Sequence, residues 1–232
     1  MVIGNGLVAH GFEMYQNNDQ VVVFASGVSN SNNTDRAAFD RETDLLNDTL
    51  SGLQTQLVIY ISTCSIYDPS MQASLYVHHK LAMEKLVADK ADNYYIFRVP
   101  NLAGHTSNPH TTLNFLFNHI VQGIPFHIWK NASRNIIDIE DAVRICNHFI
   151  SSDKNTGRII NIANQFNYPV VEIVEKIERA TGRKGIYTVI DKGNTPVIDI
   201  TEISPVINKL GINFAGNYLD NIIQKYLVPH DL

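Results

Sequence analysis

Tyr76 and Lys80 stand four residues apart in Tyr76-Val77-His78-His79-Lys80, a spacing that puts a phenol and an ammonium on one helix face. A nearby cation stabilises phenolate and lowers the tyrosine pKa toward neutrality, so the phenol can exchange a proton with an alcohol or ketone. The pattern alone is cheap and equally describes a surface helix pair. Its company raises its value. The run Leu57–Ser62 leads into Ser62-Thr63-Cys64-Ser65, which places hydroxyls just past the C-terminal end of a strand. Ligands of open α/β sheets bind at that edge. Thr63, Tyr76 and Lys80 thus form a candidate proton-transfer triad.

Gly4-Asn5-Gly6-Leu7-Val8-Ala9 fits the G-x-G-x-x-G/A pattern at a strand-to-helix turn. The glycines permit a tight turn and close approach of backbone to a pyrophosphate, which rests on the helix N-terminus. An ordinary turn would also read Gly-Asn-Gly. The acid that normally follows some 20 residues later, for the adenosine ribose, has no counterpart in Ala25-Ser26-Gly27-Val28-Ser29-Asn30.

These residues need a scaffold, and the first hundred positions supply βαβ grammar. Short apolar runs at Met1–Ile3, Gln20–Ser26, Leu57–Ser62 and Tyr94–Val99 read as parallel strands. Leu7–Gln16, Asp35–Ser51 (opened by Thr34 as cap) and Leu75–Asp89 read as helices between them. Beyond, helices are expected at Thr111–Val121, Ile139–Ile150, from Pro169 to a stop at Gly182, and at Asn217–Leu227. Strand pieces are expected within Pro125–Asp138, around a turn at Lys130–Ser133, and at Arg158–Ala163. The fold class is α/β with a parallel sheet. Residues 1–104 are expected to form the dinucleotide-binding core, with part of 135–165 packing back on it. Residues 105–232 then form a small α/β lobe, with no clean linker.

Composition narrows the function. The chain has 232 residues, 44% apolar and 18% charged, with net charge −5. That is a globular profile, and without a Lys/Arg cluster it argues against nucleic acid or an anionic membrane as partner. No apolar run reaches membrane-span length, and Met1-Val-Ile-Gly lacks a signal pattern. Cys64 and Cys146 are too few for a disulfide framework, so a reducing cytoplasm is the expected setting. The nine histidines show no metal spacing with a third ligand, and no G-x-S-x-G elbow accompanies the serines.

Five segments in order resemble the extended short-chain dehydrogenase/reductase family of nucleotide-sugar epimerases, dehydratases and ketoreductases. Ile61-Ser62-Thr63-Cys64-Ser65-Ile66-Tyr67 is similar to its S-[ST]-x-x-[VI]-Y segment, and Tyr76 to Glu84 to its Y-x-x-x-K-x-x-x-E helix. Arg98–Gly104 is similar to R-x-x-N-x-x-G. Arg134–Val143 resembles R-x-[YF]-[IV]-x-[VI]-x-D-x-[VA], and Asn161-Ile162-Ala163-Asn164 with the helix after Pro169 resembles the substrate lobe.

The resemblance implies a Rossmann-like sheet and NAD or NADP as cofactor. It implies Thr63, Tyr76 and Lys80 as catalytic residues, and Gly4, Gly6, Leu7, Ala25, Ser26, Gly27, Tyr76, Lys80 and Pro100 around the cofactor. Asn101 and Arg134 would bind a nucleotide-sugar substrate. It further implies a reductase or epimerase of surface-polysaccharide or deoxysugar biosynthesis, and a homodimer formed through helices 35–51 and 75–89.

The chain also departs from the pattern. It is short for the family, and Val21–Ser26 looks like the family's fourth strand, so the second and third strands are missing. Glu42 stands where relatives carry a structural Asn, and the stretch from Thr63 to Tyr76 is trimmed. Thr63-Cys64-Ser65 lacks the Asp-Glu pair of dehydratases, which disfavours that activity. The alternative is a weakly active or inactive relative that senses a dinucleotide or sugar nucleotide.

Overall fold

The computed structural model describes residues 1–152 and 155–228, so the last four residues of the expected lobe lie outside the described residues. Strand β1 (Val2–Ile3) runs through Gly4-Asn5-Gly6 into α1 (Leu7–Gly11), a short 3-10 turn (Glu13–Tyr15) and β2 (Val21–Phe24). Next come α2 (Arg36–Ser51), β3 (Leu57–Thr63), α3 (Leu75–Lys90) and β4 (Tyr94–Val99). The second half contains β5 (Asn101–Ala103), α4 (Thr112–Gln122), β6 (Phe126–Trp129), β7 (Ser133–Asp138) and α5 (Ile139–Ser152). It closes with β8 (Arg158–Asn161), β9 (Asn167–Pro169), α6 (Val170–Thr181), β10 (Tyr187–Ile190), α7 (Ser204–Leu210) and α8 (Tyr218–Leu227).

The main sheet is five-stranded and parallel throughout, in the order β1-β2-β3-β4-β8. Among the described residues β1 is its outermost strand and pairs only with β2, in register Val2 to Val23. This is the edge expected if the family's second and third strands are missing. Both faces are covered because strand side chains alternate. Val23, Ile59, Tyr95 and Phe97 pack toward α1 and α5, where Ala9, Phe12, Ile145 and Phe149 are buried. Phe24, Val58, Tyr60 and Ile96 pack toward α2 and α3, against Leu46, Leu50, Met83 and Val87. All five strands end on the same edge. That edge therefore carries Gly4 after β1, Ala25 after β2, Thr63 closing β3, and Pro100 after β4.

The chain caps its helices differently in detail from the sequence expectation. Asp35, not Thr34, caps α2: its Oδ1 accepts from Ala37 N at 3.0 Å, and its own N–H is held by Asn33 Oδ1 at 2.8 Å. Ser74 caps α3 through Val77 N. The expected helix Leu7–Gln16 breaks at Phe12, which is buried, just beyond the point where Gly11 lies against Val143 and Ile139 of α5.

The second half adds small sheets. The expected turn at Lys130–Ser133 forms, but its two strands separate. β6 pairs in parallel with β10, while β7 lies between β5 and β9. β5, β9, β10 and α7 are too short to stand out in the sequence. Two buried asparagines join β7 to the segment after β8. Asn135 Nδ2 donates to Asn164 O at 2.8 Å and to Asn167 Oδ1 at 3.0 Å, and Asn164 Nδ2 donates to Ile136 O at 3.0 Å. α8 is fastened to the start of α5. Tyr226 donates to Asp138 Oδ1 at 2.8 Å, Tyr218 donates to Asp141 Oδ2 at 2.9 Å, and Lys225 pairs with both Asp138 and Glu140.

The two glycines of the first turn differ physically. Gly4 has φ +130°, and a Cβ there would lie 2.6 Å from Ala25 O; a Cβ on Gly6 would meet no atom within 4 Å. Gly4→Ala is therefore expected to cost about 2 kcal/mol or more and to lower Tm by roughly 4–8 °C. Gly6→Ala is expected to change stability by less than about 1 kcal/mol. Thermal and urea unfolding of both variants check the contrast.

Candidate functional site

The C-terminal edge of β3 and the first two turns of α3 bring Thr63, Tyr76 and Lys80 into one buried cluster, none of them more than 6% exposed. Thr63 adopts an extended backbone at the strand end, and its Oγ1 both accepts from Ser65 N at 3.0 Å and donates to Ser65 Oγ at 2.9 Å. Ser74 starts α3 so that Tyr76 and Lys80, a turn apart, both face inward. Burial raises the Tyr76 phenol; its hydrogen bond with Thr63 pulls it down, the Glu42 and Cys64 charges push it up, and it settles at about 12. That is opposite to the lowering expected from the Tyr–Lys spacing.

Burial is the main cause, and the Glu42 carboxylate adds to it. This carboxylate is fully buried on α2 and accepts four hydrogen bonds. Lys80 Nζ donates to Oε1 at 3.0 Å and Tyr60 OH donates to the same oxygen at 2.7 Å. Val28 N donates to Oε2 at 2.7 Å, and His79 Nε2 meets Oε2 at 3.0 Å. Burial pushes the Glu42 carboxyl up, but the bonds from His79, Lys80, Val28 and Tyr60 outweigh it and hold it at about 2. Burial lowers the Lys80 ammonium, with Glu42 acting in the opposite sense. Lys80 Nζ also lies 4.7 Å from the centre of the Tyr60 ring. The signal for Glu42 was present in the sequence: an acid within the stripe Phe39, Leu46, Leu50 demands partners.

A second charged pair supports the floor of the site. Glu84, one turn beyond Lys80, receives Arg98 Nε at 2.9 Å, Arg98 Nη2 at 2.6 Å and Ser62 Oγ at 2.5 Å. Arg98 Nη1 donates to Tyr67 OH at 3.0 Å, and Tyr67 donates to Asn161 Oδ1 at 3.0 Å. The turn after β3 is thus anchored to β4 and β8. Burial opposes the Arg98 charge, but Glu84 and Tyr67 raise its pKa above the ordinary arginine value.

The remaining sequence candidates line the same edge. Gly27 leads out of β2 against the buried pair: a Cβ on it would lie 2.8 Å from both Glu42 Oε1 and Lys80 Nζ. Ala25 donates to Ile3 O at 2.8 Å and, through its own O, underlies Gly4; Ser26 follows it, half-buried. Leu7 fills the space that a side chain on Gly104 would need, with Cδ1 2.5 Å from that Cβ position. Pro100 separates β4 from β5. Asn101 is held by the protein itself, donating to Asn135 O and accepting from Thr112 Oγ1, each at 2.8 Å. Arg134 donates to Ser133 O at 2.9 Å; burial lowers its pKa and the Asp68 carboxylate, beyond the turn after β3, opposes that. Among the described residues no His, Cys, Asp and Glu cluster could hold a metal ion. No described helix is long and apolar enough to cross a membrane.

This arrangement suits a dinucleotide in part. Gly6 faces open space at the start of α1, as backbone approached by a diphosphate must. Thr63 closes β3 at the C-terminal edge of the sheet, where ligands of open α/β sheets bind, and Tyr76 and Lys80 follow in the first turns of α3. The residues present fit the diphosphate–nicotinamide half; the acid for an adenosine ribose is missing from residues 25–30.

The chain matches the NAD dependent epimerase/dehydratase family over residues 8–163, more than half of its length, and belongs to that family. No curated protein sequence matches it. Among solved structures it is similar to MoeE5 in complex with UDP-glucose and NAD, at 15% identity and TM-score 0.75, covering 95% of this chain and 94% of that one. It is similar to the UDP-glucuronic acid 4-epimerase of Bacillus cereus in complex with UDP-glucuronic acid and NAD, at 19% identity and TM-score 0.69, covering 91% and 75%. RMD from Pseudomonas aeruginosa complexed with NADPH gives 15% identity and TM-score 0.67, covering 85% and 89%. At these identities the likeness is one of fold.

The Glu42 cluster has a consequence for acid stability. Its carboxyl is held at about 2 against an ordinary 4.5. The stabilisation is complete above pH 4.5 and is lost as pH falls from there through about 2, amounting to about 3 kcal/mol. Urea midpoints at pH 7, 4 and 3 are expected to fall steeply for the native protein. For Glu42→Gln they are expected to be lower at pH 7 and to fall less on acidification, so that the gap narrows.

Proposed function

We propose that this protein is an NAD- or NADP-dependent reductase or epimerase of a nucleotide-activated sugar, working in surface-polysaccharide or deoxysugar biosynthesis. The carrying observation is the convergence of Thr63, Tyr76 and Lys80 on the edge reached from Gly4 and Gly6. Family membership and the fold shared with sugar-nucleotide enzymes support it. The cofactor, when bound, supplies hydride exchange at the reacting sugar carbon.

The chain's own residues do the rest. Gly4, Gly6 and Leu7 would hold the diphosphate, and Ala25, Ser26, Gly27 and Pro100 would line the cofactor's course. Lys80 spends one donor on Glu42 and has two left for ribose hydroxyls. Tyr76 would transfer a proton at the sugar oxygen, with Thr63 as its neighbouring hydroxyl partner. Arg134 would grip the substrate diphosphate. Asn101, bound on both sides by Asn135 and Thr112, would shape that pocket and present its remaining amide hydrogen.

The alternative reading is a sensor that binds dinucleotide or sugar nucleotide without turnover. The missing adenosine acid and the trimmed stretch between Thr63 and Tyr76 favour it. Tyr76→Phe separates the two. Turnover of a keto-sugar nucleotide with NADH or NADPH is expected to fall roughly 10²–10⁴-fold. Nicotinamide fluorescence should report binding within a factor of ~3 of native. Undiminished turnover in the variant would sink the catalytic role of Tyr76; binding without any turnover in the native protein would favour the sensor.

A homodimer through α2 and α3 belongs to the same proposal. The two helices pack on each other, with Lys90 Nζ donating to Asn47 Oδ1 at 2.8 Å, and they leave Leu45, Leu75 and Leu81 exposed. Sedimentation velocity should give twice the mass of 26.0 kDa for the native chain. Leu81→Glu together with Leu45→Glu should shift it to monomer; an unchanged mass in that variant places the contact elsewhere.

A further inference from the structure

The proposed cofactor contacts include Lys80 on α3 and the loop after β2, and one side chain joins the two. Glu42 on α2 is fully buried, and its two oxygens face different segments. Oε1 accepts from Lys80 Nζ at 3.0 Å and from Tyr60 OH at 2.7 Å. Oε2 accepts from Val28 N at 2.7 Å and meets His79 Nε2 at 3.0 Å. Gly27 closes over the pair, since a Cβ there would lie 2.8 Å from both Glu42 Oε1 and Lys80 Nζ.

We propose that Glu42 is a positioning residue that ties the Lys80 ammonium to the loop after β2, so that the cation and the loop meet a dinucleotide as one preset unit. The proposal deepens the reading of Lys80 as a cofactor contact and rests on it. A lysine carries its charge on a flexible stem that is costly to fix. Here one N–H is held at 3.0 Å, and the ammonium lies 4.7 Å from the centre of the Tyr60 ring, so its place is set before any ligand arrives. Two N–H donors remain for ribose hydroxyls. Preorganisation of this kind raises affinity by removing an ordering cost from the binding step.

Among the described residues no other group holds Lys80 in this way. Glu84, one turn along α3, also acts on its charge, but that carboxylate is taken by both arms of Arg98 and by Ser62. Tyr60 on β3 and His79 on α3 bond to Glu42 instead. The Phe39 ring stacks on His79 at 4.6 Å and so braces the carboxylate from its far side. The loop after β2 contributes no charge here, only Val28 N and the close backbone of Gly27. Burial lowers the Lys80 pKa, and Glu42 is foremost among the groups that oppose it.

The two contacts of Glu42 can be separated. In Glu42→Gln the amide oxygen can still accept from Val28 N, but its NH2 then faces the ammonium, a donor against a donor. The loop keeps its bond while the lysine loses its tether. Lys80 is only 3% exposed, so without a counter-charge burial favours its neutral form and it gives up its proton at lower pH.

Nicotinamide fluorescence tests this without turnover, using NADH or NADPH, whichever the native protein binds more tightly. At pH 7 Glu42→Gln is expected to weaken binding roughly 10-fold or more, and Lys80→Met by at least as much. In the Lys80→Met background Glu42→Gln is expected to change affinity by less than ~3-fold, because Glu42 acts through Lys80. As pH rises from about 7 to 10, affinity in Glu42→Gln should begin to fall at least ~1 pH unit before it does in the native protein. A purely structural Glu42 would leave that point unmoved. Native affinity in Glu42→Gln, or an equal loss in both backgrounds, would overturn the proposal. Should Glu42→Gln fail to fold alone, Lys80→Met against the double variant decides: Glu42 keeps three donors in the first, and the second has no unpaired charge. Native affinity in Lys80→Met, or no binding of either dinucleotide by the native protein, would instead overturn the reading of Lys80 on which the proposal rests, so the two failures are distinguishable.

Discussion

A carboxylate with no contact to solvent must be surrounded by donors or the chain will not fold around it, because its desolvation costs several kcal/mol. Glu42 imposes that condition on this molecule. Its four donors come from the loop after β2, from β3 and from α3, so a single side chain on α2 fixes the relative positions of three other segments. Those are the segments that carry the cofactor-facing loop, the strand leading to Thr63, and the helix with Tyr76 and Lys80. The geometry of the site is thus inseparable from the electrostatic requirement of one residue beside it.

Glu84 repeats the arrangement on the neighbouring strands. It accepts both arms of Arg98 and the hydroxyl of Ser62, and Arg98 in turn reaches Tyr67. In the sequence these residues belong to three separate motifs, around Ser62, Tyr76 and Arg98. In the structure the ends of those motifs are a single bonded unit. Two acids on two helices, each spent on a cation and on hydroxyls, make the polar floor rigid without leaving an unpaired buried charge.

Much of this was legible beforehand. The buried strands announced themselves as unbroken apolar runs: Val21–Phe24 is buried at every position, and Tyr94–Val99 ends where Pro100 requires. The placement of Tyr76 and Lys80 on the inward face of α3 was legible because residue types at helical spacing are a local property. The charge balance at Lys80 was not, since Glu42 lies 38 positions before it in the chain and only folding brings the two together. The short strands β5, β9 and β10 escaped notice because three or four residues carry too little periodicity. The cap of α2 moved by one residue because Asn33 holds the N–H of Asp35 and leaves that carboxylate to turn onto the helix.

The order of the main sheet has a further implication. Strands β1, β2, β3 and β4 lie side by side in the order in which they occur in the chain. Each new strand joins one already made, after a single connection, so the sheet can lengthen from one side as the polypeptide leaves the ribosome. Only β8 must wait, since the segments from β5 to α5 come between it and β4. The outer strand β1, two residues long, is too small to template pairing by another chain. Growth of the sheet among the described residues therefore has a direction, from the blunt edge at β1 to β8, the strand that returns after the longest excursion of the chain.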